Sequence, residues 1–255
     1  MANLPPPRIW GIDFNPAYHQ KVLTDFFPRY LPAYDYPENP QPHHATHQFY
    51  TQNTQFSWLD ARSLFVLLQA WRPTRMCEVG SGFSSLLAAD VNHRFLNNAM
   101  ELICIEPYPR DFFQHPVPGL SGLIEKKVQD VPLELFTQLD RGDTLFIDSS
   151  HVSKTGSDVN YLVFEVLPRL RPGVRIHFHD IFLPLEYPRE WVLEENRSWN
   201  EQYLLRALLM YSTAFKVLFG CKYAETHCPD QVRTALNLPG GRIFGGGSFW
   251  IEKCA

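Results

Sequence analysis

The chain has 255 residues, 45% hydrophobic and 20% charged, with a formal net charge of −4. That length suits one large α/β domain, and the low charge with abundant Leu, Ile, Val and Phe excludes a disordered chain. The slightly acidic balance argues against a nucleic-acid binder, no apolar run approaches the ~18 residues of a membrane span, and the N-terminus shows no secretory signal.

Nine of the 21 prolines fall within the first 42 residues, mixed with Tyr, Phe, Asp and His. Residues 1–57 therefore read as an irregular, aromatic-rich arm packed on the rest of the chain, with a short helix near His19–Phe27. His43, His44 and His47 form a local cluster there, read as solvated. A helix is expected over Trp58–Ala70, ended by Arg72-Pro73. Strands and helices then alternate: strand Arg75–Val79, helix Ser84–Val91, strand Leu102–Ile105, strand Gly122–Val128, helix Pro132–Leu139, strand Asp143–Ile147, helix Ser157–Leu167 and strand Val174–Phe178. A helix at Glu201–Tyr211, a strand at Phe215–Phe219 and a last strand at Ser248–Glu252 complete the series. This alternation predicts a mostly parallel, doubly wound sheet over residues 58–255. Gly240–Gly247 lacks the Lys-Ser/Thr of a P-loop and is assigned no chemistry. The five cysteines contain no C-x-x-C pair and read as reduced thiols of a cytoplasmic protein. Cys221 and His227-Cys228 lack a fourth ligand for zinc and read as structural.

The strongest local signal is Cys77-Glu78-Val79-Gly80-Ser81-Gly82-Phe83-Ser84-Ser85. Its glycines allow close backbone approach at the end of the first strand, and the following helix offers free N–H groups. Glu106, ending the second strand, is placed to take the two hydroxyls of a ribose. These features specify a nucleoside-bearing cofactor. Ser85 replaces the third glycine of the dinucleotide fingerprint. Glu78 would repel a pyrophosphate but suits the ammonium and sulfonium of S-adenosylmethionine, so that cofactor is favoured over NAD.

On these motifs the chain, from about Trp58 onward, resembles class I S-adenosylmethionine-dependent methyltransferases. It is most similar to a bacterial group in which Glu78–Ser85 is followed by Ile105–Pro107, Phe146–His151, Thr155–Tyr161 and His177–Ile181. The resemblance implies a seven-stranded sheet of order 3-2-1-4-5-7-6 with the last strand antiparallel. It implies cofactor contacts from Gly80, Gly82 and Ser84, with Glu106 on the ribose and Asp130 near the adenine amine.

A second constellation is independent of the first. Asp148 and His151 follow the fourth strand, and His179 and Asp180 end the fifth, so they converge where a transferable methyl would lie. The Asp-x-x-His pattern resembles metal-dependent sugar O-methyltransferases of macrolide biosynthesis and cephalosporin-hydroxylase-like proteins. That likeness implies a divalent ion on Asp148, His179 and Asp180 and a base at His151. His179 stands where those groups carry an acid, which weakens magnesium and leaves manganese, a softer ion or a metal-free network open. His177 reads as a satisfied core histidine. The link after the fifth strand, with Trp191, Glu194, Glu195, Arg197 and Trp199, reads as an acceptor wall. The expected activity is O-methylation of a small-molecule or glycan hydroxyl, with His151 as base and Asp148 and Asp180 orienting it or holding metal; no nucleic-acid or membrane partner is expected, and homo-oligomerisation is left open. The rivals are an NAD-linked oxidoreductase and a non-catalytic cofactor-binding subunit; Asp148 and His151 argue against the latter.

Overall fold

In the computed structural model, residues 11–40, 48–238 and 245–255 are described. The His43–His47 cluster and Gly240–Phe244 lie outside them. Seven strands form one sheet: β1 Arg75–Val79, β2 Glu101–Ile105, β3 Gly122–Ile124, β4 Thr144–Ile147, β5 Arg175–Phe178, β6 Phe215–Gly220 and β7 Phe249–Lys253. Their order is β3-β2-β1-β4-β5-β7-β6, with β7 antiparallel to both neighbours and the remaining pairs parallel. The expected fold is borne out.

Alternation along each strand sends side chains into two cores. Met76, Leu102, Phe146 and Trp250 pack on one face, against the helices Trp58–Trp71 and Phe83–Phe95. Cys77, Val79, Ile105, Leu145, Ile147, Ile176, Phe178 and Ile251 pack on the other, with Val159, Leu162, Val166 and Leu205. Helix Trp58–Trp71 is buried almost all round, from Leu59 to Gln69. One side meets the sheet core, and the N-terminal segment covers the rest with Val22, Leu23, Phe27 and Phe49. That segment is helical over residues 16–33, with π and 3-10 turns flanking Phe27–Tyr30. His19 seals it to β6: its Nε2 accepts the Gly220 N–H at 2.8 Å, and its Nδ1, 3.2 Å from the Asn15 carbonyl, carries the proton.

Several elements are shorter than expected. The helix expected over 132–139 is regular only at Glu134–Thr137, and the strand over 122–128 ends at Ile124. Lys126 and Lys127 are exposed and solvated instead. The helix over 157–167 begins at Asp158, widens to a π turn at Leu162–Val166 and closes as a 3-10 turn where Pro168 removes a donor. Three short helices, Arg189–Leu193, Cys221–His227 and Pro229–Ala235, were not anticipated.

Candidate functional site

In the order β3-β2-β1-β4-β5 successive strands are added to one side of β1 and then, from β4, to the other, the position where doubly wound sheets open a crevice at their carboxyl ends. There the Asp148 N–H reaches the Val79 carbonyl at 2.8 Å and the Gly80 N–H reaches Ile105 at 2.9 Å. Gly80 has φ +83°, and a Cβ on it would lie 1.7 Å from the Asp148 carbonyl oxygen. Glycine is obligatory there for both conformation and space. Gly82 differs, since a Cβ would meet nothing nearer than Arg110 at 4.0 Å.

Two cavities open at this edge. The smaller, about 390 Å³, is lined by Gly80, Glu106, Gln129, Asp148, Ser150 and Ser157, among others. Glu106 presents its carboxylate there, held by the backbone N–H groups of Ser81 (3.1 Å) and Tyr108 (2.8 Å). The loop after β4 is shaped by Asp158, which accepts from the Ser150 N–H at 2.9 Å and its hydroxyl at 2.5 Å. The Ser157 hydroxyl accepts the Asn160 N–H as a helix cap.

Other expected cofactor residues do not line either cavity. Glu78 is fully buried behind the loop, accepting from Ser84 Oγ at 2.5 Å and Cys104 Sγ at 3.4 Å. Burial pushes its carboxyl up to about 7, although Ser84 opposes the shift. It braces the loop from behind and lines neither cavity. Ser84, 2% exposed, is spent on Glu78, and the Gly82 N–H is spent on Ser85 Oγ. Asp130 is solvent-exposed, while its neighbour Gln129 turns inward and bonds the Gly156 carbonyl. A 3-10 turn over Val128–Asp130 causes this exchange.

The larger cavity, about 940 Å³, has two walls. Thr51–Ser57 and the start of helix Trp58–Trp71 form one; Phe182, Trp191, Arg197 and Trp199 form the other. The Arg197 guanidinium stacks on Trp191 at 4.0 Å and on Trp199 at 4.5 Å, and Trp199 lies 4.3 Å from the His151 ring. Asn53 shapes the first wall, its amide bridging Tyr50 and Phe56. Asp148 lines both cavities.

Around Asp148 the second constellation assembles. His151 Nε2 lies 3.3 Å from Asp148 Oδ1 and 3.6 Å from Asp180 Oδ2. His179 Nδ1 is 3.5 Å from each of the same two oxygens. Among the described residues, Asp148, His179 and Asp180 offer donor atoms within 4.8 Å of one another. His151 and Asp180 adopt left-handed φ of +60° and +55°, strain that positions their side chains. Gly247 presses against the Asp180 backbone, where a Cβ would come within 2.7 Å of Asp180 Cα.

Two partners were missed from the sequence. Glu201, 1% exposed, sits 3.0 Å from His151 Nδ1, and Asp60 lies 3.5 Å from His179 Nε2. Asp60 also accepts the backbone N–H groups of Gly247 and Ser248, so the glycine-rich turn does serve the site. Both carboxylates lie far along the chain, 50 and 119 residues from the imidazoles they face, and only their burial at helix starts distinguishes them. A near-neutral His151 is not what this environment produces. Burial alone would lower it, but hydrogen bonds donated to Asp148 and Glu201 prevail and push it up to about 10. Burial likewise opposes a charged His179, yet Asp148 and Asp180 raise it well above the usual imidazole range. Burial would raise Asp148, but the two imidazoles hold it well below the carboxylate range. His177 is core, stacked at 3.7 Å on Phe146, but neither ring nitrogen has a hydrogen-bond partner among the described residues, and burial drives its pKa down. Cys221 is a buried free thiol beside Ser63.

Comparison with known proteins adds the following. Residues 77–181 match the family model of a methyltransferase domain. An uncharacterised protein of Archaeoglobus fulgidus is 40% identical over 135 residues, 52% of this chain and 60% of that protein's length. A Klebsiella pneumoniae structure assigned as an O-methyltransferase aligns over 99% of this chain and 92% of its own, with 14% identity and a TM-score of 0.43. A 16S rRNA (adenine(1408)-N(1))-methyltransferase from Catenulisporales acidiphilia aligns over 80% and 94%, with 12% identity and a TM-score of 0.32. Scores this low leave the fold to rest on the strand order itself. The matched span, from Cys77 to Ile181, carries the glycine loop, Glu106, Asp148, His151, His179 and Asp180, in line with the resemblance drawn from the sequence motifs.

Proposed function

We propose that the chain is an S-adenosylmethionine-dependent methyltransferase that methylates a hydroxyl of a small molecule or glycan. The observation that carries this reading is that Asp148 lines both cavities. A nucleoside-bearing donor in the smaller crevice, its ribose on Glu106, would direct its methyl past Asp148 toward an acceptor in the larger one. Transfer is then an in-line displacement that needs positioning and a sink for the hydroxyl proton. His151 is the proton acceptor in this reading, and Asp148 and Asp180 hold its ring. Acceptance requires its Nε2 to be free; a divalent cation, if held by Asp148, His179 and Asp180, would offset the negative charge that favours the protonated ring.

The donor set of Asp148, His179 and Asp180 fits a divalent ion, two oxygens and one imidazole suiting manganese or a softer ion better than magnesium. When bound, such an ion would acidify the acceptor hydroxyl. The test is calorimetry with S-adenosylhomocysteine and NAD, followed by transfer of labelled methyl to a panel of hydroxyl compounds with and without chelator. Binding of S-adenosylhomocysteine but not NAD, with label on oxygen, is the expected result. Binding of NAD alone would overturn the reading.

A further inference from the structure

The imidazole of His151 faces two directions. Nε2 looks toward Asp148 and Asp180, at the edge of the larger cavity, while Nδ1 looks away from it, toward Glu201 Oε2 at 3.0 Å. Glu201 lines neither cavity. It opens helix Glu201–Leu209, and the start of that helix is fastened to the loop after β4. The N–H groups of Asn200 and Glu201 both reach the His151 carbonyl, at 3.0 and 3.2 Å, and Asn200 Oδ1 accepts the Ser153 N–H at 2.6 Å. The second Glu201 oxygen, Oε1, is buried without a hydrogen-bond partner. Burying a carboxylate is costly, and a residue kept only for packing at this position would be better apolar. Among the described residues, the polar group its side chain hydrogen-bonds is His151.

We propose that Glu201 is a positioning residue for methyl transfer: it accepts from His151 Nδ1 and thereby holds the ring with Nε2 turned to the edge of the larger cavity. This rests on the function proposed above. A carboxylate can only accept, so it selects Nδ1–H. An amide at the same place carries no charge and can turn either its oxygen or its NH2 toward Nδ1, so it holds the ring less firmly in that orientation.

The experiment compares wild type, Glu201→Gln and Glu201→Asp. In wild type, nitrogen-edited proton NMR should show a downfield Nδ1–H resonance of His151 sheltered from exchange. Glu201→Gln should lose it and lower kcat by ~10²–10⁴-fold, with acceptor KM and S-adenosylhomocysteine affinity within about 2-fold of wild type. Glu201→Asp keeps an acceptor on a shorter arm, so it should fall between the two in kcat. If Glu201→Gln does not fold, the Asp variant carries the comparison with the same resonance. Undiminished kcat in Glu201→Gln, or equal losses of kcat, cofactor affinity and melting temperature in both variants, would overturn the proposal. Absence of methyl transfer by wild type would count against the proposed function alone, because the Nδ1–H resonance still reports whether Glu201 anchors the ring.

Discussion

At the scale of single residues, the two glycines of the loop have unequal roles. Gly80 combines a left-handed φ with a Cβ position inside the Asp148 carbonyl. Gly80→Ala should cost about 2–4 kcal/mol from strain and backbone displacement, seen as a lower urea midpoint, and should widen the crevice enough to weaken S-adenosylhomocysteine binding. Gly82→Ala, with open space beside it, should leave stability within about 1 kcal/mol of wild type. The histidines give the molecule two opposed pH dependences. His151 is raised to about 10, so its stabilising contribution is complete below pH ~6.5 and is lost as pH rises toward 10. His19, pushed down to about 4 by burial despite its backbone hydrogen bonds, contributes fully above pH ~6.5 and loses that contribution as pH falls to 4. Melting curves should therefore decline on both sides. His151→Gln should reduce the alkaline decline, leaving the part that His179, also raised, contributes.

At the scale of elements, the link between β5 and helix Glu201–Leu209 does two jobs. Its near end, Asn200–Gln202, is fastened to the core: Gln202 accepts the Phe182 N–H at 2.6 Å and donates to the Leu185 carbonyl at 3.0 Å. Its middle presents Trp191, Arg197 and Trp199 to the larger cavity. Trp191 packs edge-on against Phe182 and Trp199, each at 5.2 Å. Trp191→Ala should raise the acceptor KM by about 10-fold or more, on the scale of a lost aromatic contact, while S-adenosylhomocysteine affinity stays unchanged in calorimetry. Equal losses in both would show the ring to be a support of the whole edge. That wall of the larger cavity was legible in the sequence from two tryptophans and the charges beside them in one long connection. Its counterpart, Thr51–Ser57, was not, because a polar run in a Pro-rich stretch looks the same whether it faces solvent or a cavity.

For the whole molecule, the N-terminal segment belongs to the same core as the sheet. The sequence Leu64-Phe65-Val66-Leu67-Leu68 is apolar round the full helix, and such a helix must be covered on both sides. His19 joins this cover to the sheet by accepting from Gly220. His19→Ala would leave that buried N–H without an acceptor and should cost about 1–3 kcal/mol in chemical denaturation. Among the described residues no helix is long and apolar enough to cross a membrane.

The sequence by itself determined the strand–helix alternation, the order implied by its motifs, and the convergence of Asp148, His151, His179 and Asp180, because parallel strands deliver their carboxyl ends to one edge whatever lies between them. It also placed Gly80 and Glu106 at the crevice, positions that follow from backbone conformation and from the end of a strand. Only the tertiary structure decided which way the remaining side chains face. Glu78 sits on an inward position of β1 and is consumed by Ser84 and Cys104. Asp130 and Gln129 exchange places because one 3-10 turn rotates the chain by a single residue. Glu201 and Asp60 reach the imidazoles from distant helices, and no local pattern marks a carboxylate that will be buried beside a histidine. The protonation of His151 was decided there as well, since an imidazole's charge depends on the carboxylates the fold sets around it.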